Sequence, residues 1–192
     1  LELSYGVPQG SILGPLLFLV YINDLSNISS IITFVLYADD SNLLLSGNNL
    51  NYLVQQFNIE LAKASEWFKA NKLLLNVQKS KIMIFHGKKK HICLNDVKIY
   101  VDGRLLENVK NIKFLGVMID CTLSWKDHIR YISNKISKSI GILSRARKIF
   151  TKVTMKNLYY TFVYPYLVYC CSVWGHAADI HMLQLLRLQK RI

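Results

Sequence analysis

The chain has 192 residues, of which 52% are hydrophobic and 19% charged, with three prolines and a formal charge of +12. That length allows one domain or a little more with ample core, and the composition excludes a disordered chain or a proline-rich linker. The charge is split: residues 1–62 carry five acids and no Lys or Arg, a net −5, whereas residues 63–192 carry all 24 basic residues against seven acids, a net +17. An acidic head on a basic body fits a polyanionic partner that avoids the head or meets it through metal ions.

In chain order, Gly6-Val7-Pro8-Gln9-Gly10-Ser11 reads as a loop, with Ser11 as helix cap for the apolar run Ile12–Ile22, closed by Asp24 or Ser26. Ile31–Tyr37 reads as a strand, Ala38-Asp39-Asp40-Ser41 as a turn and Leu43–Leu45 as the return strand. Leu50, Leu53, Val54, Phe57, Leu61, Ala64 and Phe68 recur at helical spacing between Asn49 and Asn71, which predicts an amphipathic helix. Short strands are expected at Leu73–Leu75, Ile82–Phe85, Val97–Val101 and Ile112–Ile119, with Asp102-Gly103 as a hairpin turn. From Trp125 the period becomes helical, with the stripe Trp125, Ile129, Ile132, Ile136, Ile140 and Leu143 and most basic residues off it. The change from strands to helices is expected near Asp120–Ser124.

Asn157–Ala178 has no charged residue, yet it holds Pro165 and five tyrosines, so it is read as a helix pair broken at Pro165 and not as a membrane span; Ile12–Ile22 is too short to span. Cys93, Cys121, Cys170 and Cys171 include no Cys-x-x-Cys, which predicts free thiols in a reducing, intracellular compartment. No signal-peptide pattern precedes the first motif and the chain starts at Leu1, so a piece of a longer reading frame is expected.

Asp39 and Asp40 are adjacent carboxylates at the tip of a hairpin with apolar arms. About 5 Å apart at an effective dielectric of about 20, they repel by roughly 3 kcal/mol, and in water by under about 1 kcal/mol. Alone, the pair is accounted for by a solvated turn. Divalent cations offer a second account, because Mg²⁺ takes one or two carboxylates together with substrate phosphates. Asp24 is read as a cap or turn residue. His86 and His91 around Lys88-Lys89-Lys90, with Cys93 beyond, lack zinc-ligand spacing and are read as a basic loop, and His176 and His181 receive no role.

The surroundings of Asp39-Asp40 decide between the two accounts. Tyr37-Ala38-Asp39-Asp40 after Thr33-Phe34-Val35-Leu36, some thirty residues beyond Gly6-Val7-Pro8-Gln9-Gly10-Ser11-Ile12-Leu13-Gly14-Pro15-Leu16-Leu17-Phe18, resembles the palm of reverse transcriptases, and more closely that of non-LTR (LINE-type) retrotransposon enzymes of the jockey kind. Tyr21-Ile22-Asn23-Asp24-Leu25, Leu75-Asn76-Val77-Gln78-Lys79-Ser80-Lys81, Phe114-Leu115-Gly116-Val117 and the stretch Leu158-Tyr159 through Pro165 to Val173-Trp174-Gly175 continue the resemblance in order, over nearly the whole chain.

The resemblance implies an α+β fold: a partial palm over residues 1–120, an antiparallel sheet with helices, and an all-helical thumb over 121–192. It implies an RNA-directed DNA polymerase that uses Mg²⁺, with Mn²⁺ as the alternative, and dNTPs on an RNA template and DNA primer, in a cytoplasmic or nuclear ribonucleoprotein. Asp39 becomes the main metal ligand and Asp40 its companion. Lys79 is expected near the departing pyrophosphate, with a solvated hairpin lysine as the other account of it. Gln9, Gly10, Tyr37 and Ala38 lie at the nascent base pair, and Phe114, Leu115 and Gly116 grip the primer. Lys126, Arg130, Lys138, Arg145, Arg147 and Lys148 follow the nucleic-acid backbone; on its own, such a helix face is also accounted for by solvation. The family draws a further metal-binding aspartate from a strand upstream of the Gly6–Ser11 loop. That leaves a second reading open, a non-catalytic nucleic-acid-binding remnant, and the oligomeric state is left open too. An upstream strand lost from the sheet predicts poor solubility.

Overall fold

The computed structural model describes residues 7–8, 10–89 and 97–191. Gln9, Lys90, His91 and Cys93, singled out above, lie outside the described residues. The chain divides into two compact units, residues 1–82 with 93–108 and residues 83–92 with 109–192.

In the first unit, α1 (Leu13–Ile22) starts where the Ser11 hydroxyl accepts from the Gly14 amide at 3.1 Å, the expected cap one turn back. The helix is apolar on every side. Leu13, Leu16, Leu17, Leu19 and Val20 are exposed, and of its residues Ile22 is buried. A 3₁₀ helix (Asn23–Ile28) follows and holds Asp24 in its first turn. Strands β1 (Thr33–Tyr37) and β2 (Asp40–Leu44) pair antiparallel around a two-residue turn. The period of two along β1 sends Phe34 and Leu36 onto a core of Ile22, Leu25 and Phe68.

Helix α2 (Leu50–Ala70) forms where the spacing placed it, with Asn49 Oδ1 accepting from Tyr52 N at 3.2 Å. At its other end the Asn71 side chain donates to the Trp67 carbonyl at 3.0 Å. Leu61, Ala64 and Phe68 are buried as the stripe requires. A polar residue does as much docking: Asn58 donates to the Lys98 carbonyl at 3.0 Å and accepts from the Tyr100 amide at 2.9 Å. That fixes β4 (Tyr100–Val101), which returns as β5 (Arg104–Leu105) through Asp102-Gly103 at φ +50° and +73°. Ser65 and Lys69 of α2 donate to Asp102 at 2.7 and 2.5 Å, and these hydrogen bonds, Lys69's foremost, hold its carboxyl below the ordinary carboxylate range. Strand β3 (Lys81–Ile82) pairs parallel with β6 (Glu107–Asn108), reinforced by Lys81–Glu107 at 2.8 Å.

In the second unit, β7 (Asn111–Phe114) and β8 (Val117–Asp120) form a hairpin. The single strand expected over Ile112–Ile119 is thus two, because Leu115 and Gly116 turn at φ +43° and +85°. An apolar run conceals that turn. Helix α3 (Lys126–Ala146) buries the expected stripe, with Ile129, Ile132, Ile136 and Leu143 in the core. After it come α4 (Lys152–Phe162), α5 (Tyr164–Val168), α6 (Cys171–Trp174) and α7 (Asp179–Gln189). The chain breaks between α4 and α5 at Pro165, which occupies the first turn of α5. Thr151 caps α4 at the Thr154 amide, 3.3 Å, and Ser139 of α3 donates to the Phe162 carbonyl at 3.0 Å at its other end.

The class is α+β, but the described strands form four two-stranded ladders, one of them parallel, in place of one antiparallel sheet. Leu73–Leu75 is the clearest departure from expectation. Its burial alternates, with Leu73 and Leu75 against the Phe68 core and Leu74 97% exposed, yet no strand among the described residues hydrogen-bonds to it. Alternation reports which face is covered and says nothing about an edge partner. Likewise Ile82–Phe85 gives way to a strand of Lys81 and Ile82, and Val97–Val101 contracts to Tyr100 and Val101. The strand-to-helix change falls between Asp120 and Lys126, inside the second unit. Among the described residues no helix is long and apolar enough to cross a membrane, and Cys121, Cys170 and Cys171 are free thiols.

Candidate active site and nucleic-acid interface

The β1–β2 register puts Tyr37 opposite Asp40, leaving Ala38 and Asp39 as the turn. Ala38 sits at φ +50°, a left-handed conformation that side chains other than Gly, Asn and Asp seldom adopt. Tyr37, Ala38, Asp39 and Asp40 are all exposed. The side chains of Asp39 and Asp40 make no hydrogen bond or ion pair with a described residue, so their oxygens are available to a ligand. Consecutive hard-oxygen donors suit a hydrated divalent cation. Among the described residues no group of three or more His, Cys, Asp or Glu forms a fuller cage.

Gly10 turns at φ +85° in the loop before α1, with open space where a Cβ would stand. Lys79 occupies a tight turn: its amide donates to the Asn76 carbonyl at 3.1 Å and to Asn76 Oδ1 at 3.2 Å. Its side chain is exposed and pairs with neither Asp39 nor Asp40.

In the second unit, Phe114 ends β7, and Leu115-Gly116 is the two-residue turn. The Tyr169 hydroxyl donates to the Leu115 carbonyl at 2.6 Å, and its ring would stand 3.2 Å from a Cβ at Gly116. Glycine therefore serves twice here, for the positive φ and for the close ring. Tyr169 is one of five tyrosines in an uncharged run, and nothing local marks it as the one that reaches back 54 positions.

Asp120 orients α3. Its carboxylate accepts from Thr122 N and Oγ1 (3.0 and 2.6 Å), Ser124 N and Oγ (3.1 Å each) and Trp125 N (2.9 Å). Burial pushes its pKa up, and the Thr122, Ser124 and Trp125 hydrogen bonds outweigh that and hold it below its ordinary value. The cluster Asp-x-Thr-x-Ser-Trp is the signal in the sequence that would have marked this residue. His128 is buried beneath the hairpin. Its Nδ1 accepts from Met118 N at 3.2 Å, its ring packs 5.4 Å from Trp174, and burial lowers its pKa.

Along α3, Lys126, Arg130, Lys138 and Arg145 share the exposed face with Ser137, Gly141 and Ser144. Arg147 and Lys148, just past the last turn, are exposed as well. None of the six forms a salt bridge with a described residue. Between His128 and Thr151 stand six Lys or Arg and no Asp or Glu. Such a field attracts a phosphate chain along its length.

The reverse transcriptase (RNA-dependent DNA polymerase) family matches residues 2–119. Over 97% of its length the chain is 26% identical to the RNA-directed DNA polymerase from mobile element jockey of Drosophila funebris, covering 21% of that protein. It is 26% identical over its whole length to the probable RNA-directed DNA polymerase from transposon X-element of Drosophila melanogaster, again 21% of the relative. With the probable RNA-directed DNA polymerase from transposon BS of the same fly it shares 28% over 97% of the chain and 21% of that protein. The chain thus spans about a fifth of the length of these curated relatives. No solved structure matches. The family uses divalent metal ions and binds a nucleic-acid template and primer. The match covers well over half of the chain, takes in the Asp39-Asp40 hairpin and extends into β8; the chain belongs to the reverse transcriptase family.

Proposed function

We propose that this chain carries the catalytic aspartates and the nucleic-acid grip of a non-LTR retrotransposon polymerase, which extends a DNA primer with dNTPs on an RNA template. The observation that carries it is the Asp39-Asp40 hairpin tip, unpaired among the described residues, in a chain of this family. In this reading residues 1–120 act as palm and 121–192 as thumb. Asp39 and Asp40 would hold Mg²⁺, or Mn²⁺, which when bound would supply activation of the attacking oxygen and neutralisation of the leaving one. The primer 3′-hydroxyl attacks the α-phosphate of a dNTP and pyrophosphate leaves, its charge met by Lys79. Gln9, Gly10, Tyr37 and Ala38 shape the site of the nascent pair. Phe114, Leu115 and Gly116 hold the primer, and Lys126, Arg130, Lys138, Arg145, Arg147 and Lys148 follow the duplex backbone.

The test is extension of oligo(dT) on poly(rA) with dTTP and Mg²⁺ by the polymerase that contains this segment. Asp39→Asn and Asp40→Asn are expected to lower the extension rate by more than about a hundredfold while duplex affinity stays within about twofold. Extension at the parental rate by Asp39→Asn would sink the proposal.

A further inference from the structure

Helix α4 and the start of α5 present a surface that the polymerase reading does not use. Lys152, Lys156 and Tyr160 follow one another at i, i+4 and i+8, so they share one face of α4, and all three are exposed. Tyr164 brings its ring 5.1 Å from that of Tyr160, edge to face at 66°, and Tyr159 backs the pair at 5.4 and 6.4 Å. Tyr160 is 50% exposed and Tyr164 44%, and neither hydroxyl bonds a described residue. The result is a propped aromatic platform beside two lysines that pair with no acid among the described residues.

An unpaired base has a free π-face and can stack on such a platform, whereas a paired base inside a duplex does not offer one. The two lysines meet the phosphates of the same strand. A second copy of this chain fits less well. Pairing this face with itself brings lysine against lysine, and residues 128–178 offer no acid to relieve it. We propose that Lys152, Lys156, Tyr160 and Tyr164 form a binding site for single-stranded nucleic acid, additional to the duplex-following face of α3. The site requires no polymerisation, so it stands or falls separately from the catalytic reading.

The test is fluorescence anisotropy of the 192-residue chain with labelled oligo(U) and, separately, a labelled RNA–DNA duplex, without dNTPs. Replacing both tyrosines (Tyr160→Ala with Tyr164→Ala) is expected to weaken oligo(U) binding about 10- to 100-fold. The paired Tyr→Phe variant should stay within about twofold, since a phenyl ring stacks as well. Lys152→Gln with Lys156→Gln should lower the slope of log affinity against log salt for oligo(U) by about 1.4. Duplex affinity should hold within about twofold throughout. Photocrosslinking of unaltered protein to a 4-thiouridine oligomer should label the peptide holding Tyr160 and Tyr164, which keeps the idea testable if the alanine pair fails to fold. Equal losses for strand and duplex, or crosslinks confined to other peptides, would overturn it. So would unchanged oligo(U) binding in an alanine pair that has lost self-association by light scattering, which would give the face to a protein contact.

Discussion

His128 shows what a single buried group imposes on the molecule. Its Nδ1 is committed as an acceptor to Met118 N, and its Nε2 is buried with no hydrogen-bond partner among the described residues. Burial therefore favours the neutral ring and lowers its pKa from 6.5. The unfolded chain takes up a proton as pH falls through about 6.5, while the folded ring waits for a lower pH, so stability drops over that window. The slope is at most about 1.4 kcal/mol per pH unit. Urea midpoints at pH 7.5, 6.5 and 5.5 should fall with acidity in the parent and run flatter in His128→Gln, which retains an acceptor for Met118. A parental midpoint that does not change across this range would contradict the assignment. Asp120 acts in the same sense at lower pH: its depressed pKa makes its contribution full above the ordinary carboxylate range and lost as pH falls below it.

Among the elements, helices α2 and α3 were legible because long stripes at spacings of three and four have no competing period, and the Asp102-Gly103 turn because its residues tolerate positive φ. The β1–β2 hairpin was legible for a related reason, two charged residues between apolar arms. The Leu115-Gly116 turn was hidden, since its first residue is apolar and its support comes from Tyr169 far along the chain. Bridging by Asn58 was hidden too, because a lone Asn at mid-helix carries no local sign of the strand it holds. The candidate site was legible as motifs in order, whereas its supports, Tyr169, Asp120 and His128, act through contacts that motifs do not encode. The Tyr169 hydrogen bond makes a sharp prediction. Tyr169→Phe removes the donor to Leu115 but keeps the ring, at about 0.5–1.5 kcal/mol. Hydrogen exchange at the β7–β8 turn should quicken by about two- to tenfold, with the middle of α3 unchanged. Equal quickening of both would make Tyr169 a general stabiliser instead of a support for the turn.

For the whole molecule, the two compact units redraw the split of charge. The first carries nine acids and seven basic residues, a net −2; the second carries three acids and 17 basic residues, a net +14. The excess charge is therefore concentrated in the unit built around α3. Changing Lys126, Arg130, Lys138 and Arg145 together to Gln should reduce the salt slope for an RNA–DNA duplex by about 3 to 4, at about 0.9 for each phosphate no longer neutralised. A slope that stays put would remove α3 from the interface. The exposed Leu13, Leu16, Leu17, Leu19 and Val20 of α1 supply an opposite influence, an apolar surface in the nearly neutral unit that charge repulsion does not protect.

The bond from Tyr169 to Leu115 also sets an order of assembly. A ribosome that has made the β7–β8 hairpin has still to add α3, α4 and α5 before the tyrosine that buttresses its turn exists. During synthesis the turn acquires its support only when those helices have emerged and folded around it. A nascent chain halted before Tyr169 can close the hairpin but leaves its turn unbraced until that tyrosine has been made.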